Sequence, residues 1–144
     1  MLGRIEKSVE IKAQPEEVWP LLFFDRLPEW LDIFKKVECT SQKRDCAGAT
    51  FHVVGETAFM KTEFDVEITE LVENEKAGWR STLGGFGKSS LNPTAAGTEL
   101  NFIINYALPY SIFGKILDKL IVGREIEKSI EKGLEKLKSI LEDE

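Results

Sequence analysis

The chain has 144 residues, 42% hydrophobic and 31% charged, the size and composition of one soluble domain with a single core spanning residues 1–144. Nineteen Lys+Arg against 25 Asp+Glu give a formal charge of −6, without the basic excess that phosphate neutralisation demands, so nucleic acid is excluded as the expected partner. The longest apolar stretch, Val18 to Phe24, falls far short of the roughly 20 residues of a membrane-spanning helix, so no integral membrane segment is expected. Arg4, Glu6, Lys7 and Glu10 interrupt the first ten residues, which leaves no apolar core for a signal peptide and makes the cytoplasm the expected compartment.

In chain order, residues 3 to 12 alternate, with Ile5, Val9 and Ile11 apolar between polar neighbours and one irregularity at Lys7 and Ser8. This is the period of a half-buried strand. Pro15-Glu16-Glu17 then suits a first helical turn, since proline has no amide to leave unpaired there and the acids face the positive end of the helix dipole. Pro20 must kink or end that helix, because it cannot donate to the carbonyl of Glu16. Leu27-Pro28-Glu29-Trp30-Leu31 reads as a second short helix.

From Lys35 to Leu108 the period becomes two, with turn signals at 45–48, 73–76, 84–87 and 92–97. Five or six antiparallel strands fit this stretch. The clearest are 64–71 and 98–106, which place Phe64, Val66 and Ile68, and Leu100, Phe102, Ile104 and Tyr106, on one face. Ser111 to Leu141 changes to helical spacing, and Ile116, Leu120, Gly123, Ile126, Ile130 and Leu134 fall on one apolar stripe. Glycines at 123 and 133 cost a helix about 1 kcal/mol each relative to alanine, which points to close backbone approach or to space reserved for something else. A sheet with one oily face and a helix with one oily stripe must bury them together, and where a curved sheet cannot touch the helix everywhere the gap is either filled or a cavity. The fold class is α+β.

His52 is the sole histidine, and Cys39 and Cys46 are the only cysteines, too few for a four-ligand zinc site, so no metal or cofactor is expected. His52 alternates with Phe51 and Val53 and should face solvent, while Cys39 reads as a small packing residue. The loop Leu83-Gly84-Gly85-Phe86-Gly87-Lys88 lacks the spacing of a phosphate-binding motif and reads as a hairpin whose Phe86 gates a cavity mouth.

The pattern Ala13-Gln14-Pro15-Glu16-Glu17-Val18-Trp19, then Leu27-Pro28-Glu29-Trp30, then Gly97-Thr98-Glu99-Leu100 running into Tyr106-Ala107-Leu108-Pro109, resembles the START-like or SRPBCC superfamily over nearly the whole chain. That superfamily includes polyketide cyclases and dehydratases, lipid-transfer domains and ligand carriers of the birch-pollen-allergen type. The resemblance implies a helix-grip fold: a curved sheet of about seven antiparallel strands around a long C-terminal helix, two short helices after strand one, and a hydrophobic cavity inside. Trp19 and Trp30 are structural in such a pattern, and Pro20 departs from the superfamily's uninterrupted first helix.

The expected ligand-binding residues are Phe64, Val66, Ile68, Trp79, Phe86, Leu100, Phe102, Ile104, Tyr106, Ile116 and Leu120, with Tyr106, Trp79 and Asn105 as the groups able to orient a ligand. The partner expected is a small hydrophobic or amphipathic molecule such as a lipid, isoprenoid or polyketide. No catalytic residue is assigned, since Asp65, Glu67 and Glu99 point outward on this alternation. Two alternatives remain: a cyclase- or dehydratase-type enzyme using a pocket tyrosine or carboxylate, and an interaction domain with a filled core.

Overall fold

A computed structural model describes residues 2–56, 61–107 and 119–142. Strand β1 (Leu2–Ile11) leads into a single α-helical turn, α1 (Pro15–Val18), followed by two 3₁₀ segments, Trp19–Leu22 and Phe24–Glu29. Pro15 takes the first helical position, and the Gln14 amide donates to the Glu17 carboxylate at 3.0 Å, closing a capping box. Pro20 ends the α-helix as its missing donor requires, and the chain tightens into 3₁₀ geometry.

Six strands follow: β2 (Phe34–Cys39), β3 (Thr50–Glu56), β4 (Lys61–Val72), β5 (Lys76–Ser81), β6 (Phe86–Pro93) and β7 (Thr98–Ala107). With β1 they form one antiparallel sheet in the order β1-β7-β6-β5-β4-β3-β2. Helix α2 (Lys119–Glu142) closes the described chain. The seven-stranded sheet, the short helices after strand one and the long C-terminal helix make the helix-grip fold that the resemblance implied. Ile116 and the start of the expected helix at Ser111 lie outside the described residues.

Register assigns every strand residue to a face, because paired residues in neighbouring strands point the same way. One row runs Ile5, Ile104, Gly87, Trp79, Ile68 and faces the helix; the next runs Arg4, Asn105, Phe86, Arg80, Glu67 and faces away. In β4 the row slips once: Ile68 pairs with Trp79 and Glu70 with Gly78, so Thr69 is the extra residue of a bulge. After it Leu71 faces inward and Glu70 outward, where it binds Lys76 at 2.8 Å.

The buried core is continuous across the sheet, the 3₁₀ segments and α2, from Ile11, Phe51 and Leu100 to Ile130 and Leu137. Gly133 answers the question its position raised: a Cβ there would lie 2.6 Å from the Trp30 carbonyl oxygen, so glycine lets the helix backbone rest on the Trp30–Leu31 segment. Trp30 is fully buried, and its indole N–H donates to the Leu21 carbonyl at 2.8 Å, fixing the 3₁₀ segments to each other.

Candidate functional site

The inner face of the sheet has two ends of different character. Towards the turns after β4 and β6, Leu91, Thr98, Leu100 and Ala49 are closed off from water. The Thr98 hydroxyl donates to the Ala13 carbonyl at 2.6 Å, tying β7 to the segment after β1. Near mid-sheet, Phe24 from the second 3₁₀ segment packs against Phe34, Phe51 and Trp79 with centroids 5.3 to 5.7 Å apart. The space left around Phe24, Ile68 and Trp79 is about 10 Å³, barely the volume that one water occupies.

At the opposite end, Phe64 and Tyr106 face inward and are only half-buried, whereas Phe34, in register with Gly55, is covered by Phe24. Tyr106 stands on the glycine-permitted side of its neighbouring strand, since a Cβ at Gly3 would overlap its ring outright, whereas a Cβ at Gly55 would lie in ordinary contact with the Phe64 ring at 3.5 Å. The Tyr106 hydroxyl reaches the helix, where a Cβ on Gly123 would lie 2.6 Å from it. Tyr106 therefore bridges sheet and helix between two glycines. Burial, and secondarily the nearby Glu127 carboxylate, push its phenol above the ordinary value, so it remains a neutral hydrogen-bond donor at physiological pH.

Beside it, Lys7 occupies an inward-facing position on edge strand β1, and its ammonium meets Glu127 at 2.6 Å and Glu131 at 3.3 Å on α2. The irregularity at Lys7 and Ser8 was the trace of this clamp in the sequence. The side chains of Phe23 and Phe24 were missed as contributors to the interior; their adjacency just after a proline-broken helix was the available signal.

Val66, Ile68, Trp79, Leu100, Phe102 and Ile104 all face inward and are buried, Phe64 and Tyr106 face inward at the less covered end, and Leu120 lies in α2 with its side chain outside the described residues. Phe86 does not join them. The hairpin turn occupies 82–85, two residues earlier than the sequence signal, with Gly84 at φ +97°, so Phe86 opens β6 and pairs with Arg80 and Asn105 on the outer face. It is 49% exposed there, too far round the sheet to gate an inner cavity.

Cys39 also departs from expectation: it ends the edge strand β2, exposed, with its thiol 3.4 Å from the Ser41 carbonyl. His52 faces solvent between Asp65, 2.9 Å from Nδ1, and Glu63, 3.2 Å from Nε2; the Asp65 contact first and then Glu63 raise its pKa. Among the described residues no group of His, Cys, Asp and Glu is arranged to hold a metal ion, and no helix is long and apolar enough to cross a membrane.

The family model described as polyketide cyclase / dehydrase and lipid transport matches residues 3–142. The chain belongs to this family. Solved structures with the same fold include a START superfamily protein from Mycobacterium smegmatis, with TM-score 0.76 at 15% identity over 97% of each chain. TTHA0849 from Thermus thermophilus gives 0.75 at 22% identity over 98% of this chain and 97% of its own. The di-domain ARO/CYC StfQ of the steffimycin biosynthetic pathway gives 0.73 at 14% identity, with 99% of this chain matching 51% of that one. Comparison with curated proteins returns no match. For this member of the cyclase and lipid-transport family, the low identities carry the fold and leave the site to be argued from its own residues.

Proposed function

We propose that the chain binds and carries a small hydrophobic or amphipathic molecule, of lipid, isoprenoid or polyketide type, between the inner face of the sheet and α2, with residues 1–144 acting as one ligand-binding unit. The observation that supports this reading is the chemistry of the inner face. From β3 to β7 its described side chains are apolar apart from Trp79, Tyr106 and small hydroxyls, with no carboxylate or histidine among them. The inward cation Lys7 is held at the rim by two glutamates. Such a surface stabilises a ligand by desolvation, at about 0.8 kcal/mol per buried methylene, and the Tyr106 hydroxyl offers one directional donor to a carbonyl or hydroxyl. Phe64 and Tyr106 mark the end at which the ligand enters, because these two inward rings are half-covered.

A cyclase-type reading rests on the same tyrosine: a phenol held neutral beside the helix can polarise a ketone as a proton donor. Among the described inward-facing side chains of the sheet there is no base to take a proton from the substrate carbon, and the Glu127 carboxylate near the phenol is held by Lys7, so carriage is favoured.

Titration with the neutral fluorophore N-phenyl-1-naphthylamine tests the proposal. One saturable site with blue-shifted emission is expected, weakened at least tenfold by Phe64→Ser in a protein that still melts cooperatively. A well-folded protein that shows no saturable binding would overturn the carrier reading. Solvent extraction of the purified protein followed by mass spectrometry then identifies the natural class of ligand.

A further inference from the structure

The outer face of the sheet carries a second concavity, about 260 Å³, over β5, β6 and β7, separated from the interior by the thickness of the sheet. Its floor is thin. Gly78 and Gly87 lie in it, and Trp79, whose ring covers Gly87 from the inner side, reaches it as well. Its walls hold Arg4, Arg80 and Lys88 against one carboxylate, Glu70, on a chain whose net charge is −6. Glu6, Glu67 and Glu70 are taken up by Arg4, Arg80 and Lys76, so the charge left to attract an anion is that of Lys88.

Two further features show what that anion must look like. Asn105 lines the groove and is 9% exposed, and its Nδ2 has no hydrogen-bond partner among the described residues. A buried amide donor left unpaired is costly, and it calls for an acceptor. In register it stands between Arg4 on β1 and Phe86 on β6. Phe86 and the half-buried Ile103 supply apolar surface on the same wall, Phe86 being one of two large hydrophobic side chains that are exposed among the described residues. Lys88 makes no ion pair among the described residues, whereas Arg4 pairs with Glu6 at 3.1 Å and Arg80 binds Glu67 through Nε at 2.9 Å. Exposed pairs of that kind contribute little and are readily exchanged for a ligand carboxylate.

We infer that this outer groove is a binding site for a small amphipathic carboxylate, whose anionic head meets Lys88 and the Asn105 amide and whose flat apolar part lies on Phe86 and Ile103. The glycine-rich segment 83–88, which carries no phosphate-binding spacing, has its use here: it delivers Phe86 and Lys88 to one wall and keeps the floor low at Gly87. The groove opens on the outer face of the sheet and shares Trp79 with the inner site.

Nuclear magnetic resonance with 2-naphthoate as probe and 2-naphthamide as its uncharged analogue tests the inference. With 2-naphthoate, saturable shifts are expected in the Asn105 side-chain amide and the backbone amides of Phe86 and Lys88. Affinity should fall at least tenfold for 2-naphthamide and at least tenfold for Lys88→Glu, and by a smaller factor for Lys88→Gln. N-phenyl-1-naphthylamine binding should be unchanged in both variants, which separates failure here from failure of the inner site. The inference is overturned by shifts that map to Leu100 and Ile104, by equal affinity in folded Lys88 variants, or by no saturation at millimolar probe. It is likewise overturned if the same resonances move on dilution without probe, because the groove would then be an interface between two copies of the chain.

Discussion

The two ends of the inner face are built from the same strands yet differ in what their side chains are for. At one end Leu100, Phe102 and Ile11 have essentially no contact with water, with Trp30 set edge-on against Phe102; at the other, Phe64 and Tyr106 face the same interior and are half-covered. Burial alone thus separates residues whose loss should cost stability from residues whose loss should cost binding, although alternation assigns both groups to one surface.

The largest effect that would test this division is a pair of truncations. Phe102→Ala should cost about 3–5 kcal/mol, the range for deleting an aromatic ring from a closed core, and Phe64→Ala less than about 2 kcal/mol, both read from urea unfolding. Equal costs would mean that the two ends are one continuous core. Gly123→Ala comes next. Helix propensity favours alanine by about 1 kcal/mol, but the Tyr106 hydroxyl stands 2.6 Å from where the methyl must go and has to be displaced, so overpacking of about 1–3 kcal/mol should prevail. In a Tyr106→Phe background the same substitution should become stabilising, a sign reversal visible in the melting temperature.

At the sealed end, Thr98→Val removes the donor to the Ala13 carbonyl and should cost about 1–3 kcal/mol, without altering N-phenyl-1-naphthylamine affinity. The smallest effect lies on neither end. His52 between Asp65 and Glu63 has a raised pKa, so its contribution is complete below the unfolded value of about 6.5 and fades as pH rises through the folded one. His52→Gln should flatten the stability profile in that window and leave the inner face untouched.

How far the sequence disclosed these features follows from period and parity. Strands β4 and β7 were legible because every second residue is apolar over long runs, and Pro20 announced the break after α1. The inward facing of Val66, Ile68, Leu100, Phe102 and Ile104 follows from the same alternation, whereas the distinction between closed and half-covered positions depends on which distant segment lies above them. Phe86 was misplaced because a glycine-rich stretch permits the turn to begin at several positions, and a shift of two residues moved it from hairpin tip to strand. Cys39 looked like packing because its strand alternates, yet an edge strand's end has nothing to pack against. The outer groove was invisible in the sequence, since Arg4, Arg80, Lys88 and Asn105 come from four different strands and meet only through register.

The single extra residue in β4 has a consequence for what the interior can become. Up to Ile68 the strand is read in one frame, and beyond Thr69 in the other. In an unbroken frame the next inward position would be Glu70, and its carboxylate would sit beside Trp79 instead of on Lys76. A residue gained in β5 between Gly78 and Trp79 would give Thr69 a partner, cancel the bulge and turn Glu70 inward. One inserted residue would therefore bring a carboxylate already present in the chain onto a face that, among the described side chains from β3 to β7, carries none.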